Sequence, residues 1–160
     1  MCGISFYFSK DKSYENELRE SLRLTSHRGP DSNGTYFKET NNGFLGLGHN
    51  RLSIIDLSSS GDQPMIFGDI RIIFNGEIYN YKSIRQDLIS LGYSFDTSTD
   101  TEVILKSYTE YGVDCFTLFR GMFTFIIIDE AKDRVFLVRD SLGIKPLYLF
   151  KSDSSIYASS

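Results

Sequence analysis

Apolar residues recur along the chain with two periods, and the switches between them lay out the predicted elements. Gly3 to Phe8 alternates loosely among β-formers and reads as a strand that begins at Cys2. Tyr14, Leu18 and Leu22 recur at every fourth residue, which predicts a helix from about Ser13 to Leu24 that Arg28-Gly29-Pro30-Asp31 breaks. Thr35–Phe37 and Phe44–Gly48, joined through Asn41-Asn42-Gly43, read as a hairpin. Leu52 to Leu57 is an apolar run read as a further strand, followed by a polar loop from Ser58 to Gln63. Ile66–Phe67 and Ile70–Phe74 flank Gly68-Asp69 as a second hairpin. Tyr81–Leu91 has one apolar face of Ile84, Leu88 and Leu91, with Asn80 placed as N-cap and Gly92 as the stop. Thr101–Tyr111 reads as another helix, capped by Ser98, Thr99 or Asp100. Met122–Asp129 and Arg134–Asp140 are strong strands around a turn at Glu130-Ala131-Lys132-Asp133, and Leu147–Phe150 with Ile156–Ala158 form a last pair. Eight or nine strands with three interspersed helices, hairpins dominating, predict an α+β protein of antiparallel sheets covered by helices.

Composition narrows the partners. A chain of 160 residues suits one domain, and its net charge of −4 without a lysine or arginine cluster argues against a nucleic-acid partner. The longest apolar stretch, Met122 to Ile128, is strand-sized, so no membrane association is expected, and the amino terminus lacks the pattern of a signal peptide. A cytoplasmic location follows as the expectation, with Cys2 and Cys115 as free thiols. Cys115, within Asp114-Cys115-Phe116-Thr117-Leu118-Phe119, reads as a core residue.

Among common motifs, Gly46-Leu47-Gly48 is a GxG without a following helix, and His27 and His49 lack zinc spacing and read as structural hydrogen-bonders, with a catalytic Cys–His pair as the alternative. Four other features carry chemistry. Removal of Met1 would leave Cys2 with a thiol and a free α-amine, a nucleophile and a base on one residue. Arg51 is either a surface arginine or a clamp for a substrate carboxylate, the anion its planar fork suits. Asn75-Gly76 is either a turn or an oxyanion hole, with a side-chain amide and a closely approaching backbone N–H as the two donors. Asp100 either caps a helix or binds an ammonium group. Read together, these describe a site for an α-amino acid whose side chain ends in an attackable carbonyl, and glutamine fits.

At these residues the chain resembles the glutaminase domain of the class II glutamine amidotransferases, specifically that of glutamine-hydrolysing asparagine synthetase. The blocks that carry the resemblance are Met1-Cys2-Gly3-Ile4, His27-Arg28-Gly29-Pro30-Asp31, Arg51 to Asp56, Gln63-Pro64, Asn75-Gly76-Glu77-Ile78-Tyr79-Asn80, Asp100-Thr101-Glu102 and Arg139 to Tyr148. They run in order through the whole chain. The resemblance implies the N-terminal-nucleophile hydrolase fold, a four-layer α/β/β/α arrangement of two stacked antiparallel sheets, spanning residues 1–160 as a glutaminase domain. It implies Cys2, Asn75 and Gly76 as catalytic residues. Arg51, Leu52, Ile54, Ile55, Asn75, Gly76, Glu77 and Asp100 would bind L-glutamine, Leu52 to Ile55 partly through their backbone.

The family's ATP-dependent synthetase domain, which would accept the ammonia, has no counterpart motif before Ser159-Ser160. Its ATP and Mg2+ are therefore expected outside these residues, with no cofactor or metal in the glutaminase reaction itself. The resemblance is also compatible with a homodimer. Family members of this type act on acceptors other than aspartate, such as sugars, so the acceptor stays open. A retained Met1 would tie up the α-amine and leave a silent glutamine-binding domain.

Overall fold

The computed structural model describes all residues, Met1–Ser160. Nine strands form two antiparallel sheets. The strands are β1 (Gly3–Ser9), β2 (Ser32–Thr40), β3 (Gly43–Arg51), β4 (Met65–Phe67), β5 (Ile70–Ile78), β6 (Gly121–Asp129), β7 (Arg134–Arg139), β8 (Tyr148–Lys151) and β9 (Ser155–Ser159). The first sheet has the order β2-β3-β1-β9-β8 and the second β4-β5-β6-β7. Three α-helices, α1 (Glu15–Leu24), α2 (Tyr81–Ser90) and α3 (Asp100–Tyr111), complete the fold. None of them is long and apolar enough to cross a membrane.

Period-two alternation in the central strands generates the layers. Ile126 and Ile128 of β6 and Ile73 of β5 point toward Ile4, Phe6, Leu45 and Leu47 of the first sheet. Their neighbours Phe123, Phe125, Ile127, Ile72 and Phe74 point the other way and pack beneath Ile84 and Leu88 of α2 and Val103, Ile104 and Tyr108 of α3. Because β6 is covered on both faces, it is apolar on both, with Thr124 the one polar residue between Met122 and Ile128. On the far side of the first sheet, α1 buries Leu18 and Leu22 over β1 and β3. The result is the four-layer α/β/β/α stack. Cys115, fully buried beside α3, belongs to the core, and burial pushes its thiol up to about 12.

Gly46-Leu47-Gly48 owes its glycines to packing. A Cβ at Gly48 would lie 2.9 Å from Leu22 of α1, and one at Gly46 would lie 2.4 Å from the Tyr7 ring. The motif lets a helix and an aromatic ring settle on the sheet.

Some sequence expectations need correction. Leu52 to Leu57 is a loop, not a strand: β3 ends at Arg51, and Ile54 and Leu57 are 61% and 81% exposed. The loop is held by polar contacts instead, with Ser53 N donating to Asp31 (2.7 Å) and Ser98 N donating to Asp56 (3.1 Å). Asn80 stands at the N-cap position of α2 without capping it, because its amide accepts from Arg120 N and donates to Leu118 O. The first helix starts at Glu15, two residues later than its apolar repeat suggests. Of three candidate caps for α3, Thr99 is used, its hydroxyl accepting from Glu102 N at 3.2 Å.

Phe125 is fully buried and its ring meets those of Phe116, Phe119 and Phe123 at centroid distances of 5.5, 6.2 and 5.7 Å. Phe125→Ala is expected to destabilise the domain by about 3–5 kcal/mol through lost burial and the cavity left behind. Urea unfolding should show this as a lower midpoint with an unchanged slope.

Candidate active site

One cavity of about 130 Å3 gathers residues from both sheets and from α3. Its lining includes every residue singled out from the sequence: Cys2, Arg51, Leu52, Ile54, Ile55, Asn75, Gly76, Glu77 and Asp100. Sequence separations of up to 98 positions are closed by strand pairing. Gly3 of β1 lies opposite Asn50 of β3, which sets Cys2 beside the Arg51–Leu52 junction. The Leu52 N–H donates to Cys2 Sγ at 3.4 Å, and the thiol points back at Leu52 O at 3.7 Å. Burial pushes the Cys2 thiol above its ordinary value; the Leu52 hydrogen bond and Arg51 pull it back, and Asp100 adds to the rise.

Arg51 is buried rather than on the surface. Its Nη1 donates to Ser58 O (2.7 Å) and to Asp62 (2.8 Å), and its Nη2 donates to Asp56 O. Three of the five guanidinium hydrogens are thereby committed, which fixes the group and leaves Nε and one Nη2 hydrogen for a ligand. The nearby Ile54 and Ile55, also in the lining, are partly exposed to solvent.

Asn75 and Gly76 sit near the end of β5. The Asn75 amide satisfies both of its ends when Nδ2 donates to the Cys2 carbonyl (3.2 Å) and the oxygen accepts from Arg28 Nη2 (3.3 Å). In the opposite orientation it has only the Ser160 hydroxyl at 3.3 Å and presents its NH2 to a guanidinium. The first orientation is therefore the favoured one. Gly76 has φ of +152°, and a Cβ there would lie 2.2 Å from Met122 O on β6. Close strand packing thus requires glycine at this position as well as any ligand does.

Asp100, the first residue of α3, is 4% exposed and has no basic partner. Burial pushes its carboxyl up to about 6, against the pull of the Ile78 N–H at 3.0 Å, and Glu77 adds a smaller rise. A buried carboxylate lacking a counter-ion is the group an ammonium ligand would satisfy. His49 takes no part. It is fully buried against Phe74 O, and burial lowers it to about 4, while His27 is exposed.

Sequence patterns did not assign roles to several other groups. Arg28 orients the Asn75 amide. Gln63 accepts from Phe74 N (2.6 Å) and donates to Thr101 (3.2 Å), tying β5 to α3 behind the cavity. Lys145 enters the lining from the loop after β7, and Met1 joins the lining at the amino terminus. Arg28, Gln63 and Lys145 fall within the blocks that carry the resemblance, but no periodicity marks them.

Comparison with known proteins gives the family and the fold. The chain matches the glutamine amidotransferase domain model over residues 1–160. It is 41% identical to a glutamine-hydrolysing asparagine synthetase of Bacillus subtilis, over 100% of this chain and 26% of that protein. A glutamine-hydrolysing asparagine synthetase of Arabidopsis thaliana is 39% identical over 100% of this chain and 27% of its own length. The chain spans between about a quarter and a third of the length of such curated relatives. In fold it resembles the glutamine phosphoribosylpyrophosphate amidotransferase of B. subtilis, with a TM-score of 0.82 at 17% identity over 99% of this chain and 41% of that one. By the match over its whole length and by its relatives, the chain belongs to the glutamine amidotransferase domain family.

Proposed function

We propose that the domain hydrolyses L-glutamine to glutamate and ammonia through a thioester on Cys2, and that it is the ammonia-supplying part of an asparagine synthetase. The observation that carries this reading is the convergence of Cys2, Arg51, Asn75, Gly76 and Asp100 on one cavity. Asp100 would pair with the substrate's α-ammonium, assisted by Glu77, and the free Arg51 hydrogens would take its α-carboxylate. The Cys2 sulfur then attacks the δ-carbonyl carbon, and its proton passes through the freed α-amine to the departing nitrogen. The Asn75 amide and the Gly76 N–H would hold the oxyanion, each worth about 10²–10³ in rate. Ammonia leaves, and water hydrolyses the thioester to glutamate.

The reaction in this domain calls for no cofactor. ATP and Mg2+ would serve a synthetase domain that amidates aspartate, the acceptor suggested by the relatives' names.

Three measurements test the reading. Methionine-processed protein should release ammonia and glutamate from glutamine, and Cys2→Ala should abolish the release; equal rates would sink the cysteine mechanism. Protein that retains Met1 should be inactive, because the amine is then in a peptide bond; intact mass identifies the form being assayed.

The third concerns pH. With a carboxyl pushed up to about 6, kcat/KM for glutamine should fall about tenfold per pH unit below that value as Asp100 takes up its proton. Asp100→Asn should lose both most of the activity and this acid limb. The folded carboxyl holds its proton more tightly than the unfolded one. Its contribution to stability is therefore full below about 3.9, declines as pH rises to about 6, and stays low above. Asp100→Asn should accordingly be more stable than the parent at pH 7, by about 1–3 kcal/mol, in urea unfolding.

A further inference from the structure

Two basic side chains line the cavity, and their situations differ. Arg51 has Asp62 and two carbonyls as partners. Lys145 is 6% exposed, yet its Nζ has one side-chain partner, the Met1 thioether at 3.0 Å, and no carboxylate. A thioether is a weak acceptor and an ammonium has three donors, so this buried cation is largely unsatisfied.

Its position is nevertheless fixed. Lys145 N donates to Asp140 at 3.0 Å, Ile144 N donates to the other oxygen of the same carboxylate at 2.9 Å, and Lys145 O accepts from Arg139 Nε at 2.7 Å. The loop after β7 is therefore braced to deliver one charge to one place.

That place is the amino terminus. The Met1 sulfur is five bonds from the Cys2 nitrogen, so Nζ lies at most about 9 Å from the atom that becomes the free amine. This is inside the ~10 Å over which charges interact at 0.1 M salt, and burial weakens screening further. Other charged groups around the nucleophile are Arg51 at the end of β3, Asp100 at the start of α3, Glu77 of β5, Asp56 of the adjoining loop, and Arg28 through Asn75. Asp62 offsets the charge of Arg51, and Asp140 is engaged by backbone N–H groups. Of the positive charges here without a carboxylate partner, Arg28 is engaged by the Asn75 amide and Lys145 is the one in the cavity lining.

We propose that Lys145 is a positioning residue for the nucleophile: once Met1 is cleaved, its ammonium faces the Cys2 α-amine and keeps that amine in the neutral form. A free α-amine ordinarily titrates at about 7.7–8.0, so at neutral pH most of it would be protonated and unable to receive the thiol proton. A fixed positive neighbour lowers that midpoint. In the reaction the neutral amine takes the proton from sulfur and returns it to the leaving nitrogen, so the step neither gains nor loses protons. The inference rests on the hydrolytic reading of this cavity and names a residue for which that reading had no use.

The test uses methionine-processed protein carrying isotope-labelled cysteine, with the Cys2 α-amine titrated by NMR in the parent, Lys145→Met and Lys145→Arg. Lys145→Met should raise the amine midpoint by about one pH unit, and Lys145→Arg should hold it within a few tenths of the parent. In Lys145→Met the protonated amine should add a second acid limb to kcat/KM for glutamine, above the Asp100 limb near 6. If Lys145→Met fails to fold, Lys145→Gln removes the charge while keeping a polar chain. Parent and neutral variant titrating together would overturn the inference. A shifted midpoint in protein that hydrolyses no glutamine would uphold the electrostatic role of Lys145 and overturn the hydrolytic reading instead.

Discussion

The antiparallel pairing of β1 with β3 sets Gly3 opposite Asn50, and with that one register Cys2 comes level with Arg51 and Leu52. A slip of a single residue would turn Ile4 and Phe6 out of the space between the sheets and carry the thiol to the wrong face. The strand is held against such a slip from both sides. Beyond β3 on one flank, β9 pairs with it on the other, and Ser160 N closes the ladder on Ile4 O at 3.1 Å. A nucleophile at a chain terminus would ordinarily share the mobility of termini. Here the terminus is the start of the middle strand of a five-stranded sheet.

The second sheet supplies the opposite wall by the same means. Pairing of β5 with β6 places Gly76 against Phe123, and the approach there is too close for a side chain. Gln63 ties β5 to α3, and the Ile78 N–H turns the Asp100 carboxylate into the cavity. The residues that line the cavity thus come from the ends of strands and the start of a helix, where backbone geometry is already fixed by hydrogen bonds. Rigidity of this kind favours preorganised catalysis, since little reordering remains for the reacting state.

Much of this was legible in the sequence where local rules operate alone. Hydrophobic period placed all three helices and most strands, and Cys2, Arg51, Asn75, Gly76 and Asp100, singled out by residue type, line one cavity. The failures have one physical source. Leu52–Leu57 looks like a strand because its residues are apolar, but it lacks a neighbouring edge to pair with and is held by Asp31, Asp56 and Ser98. Asn80 looks like a cap because it precedes a helix, but a partner forty residues away claims its amide. Arg28 and Lys145 are ordinary basic residues until the fold brings them to Asn75 and to the amino terminus. Local pattern is blind to contacts made across the chain.

Asp100 has a consequence beyond the reaction. Its carboxyl is buried without a basic partner, an electrostatic burden that an ammonium ligand would relieve. Ligand that binds only the folded form shifts the balance away from the unfolded chains that proteases remove. Under the proposed reading, glutamine is then a structural ion of the domain as well as its fuel. How long each molecule persists in the cell is tied to the supply of the amino acid it consumes.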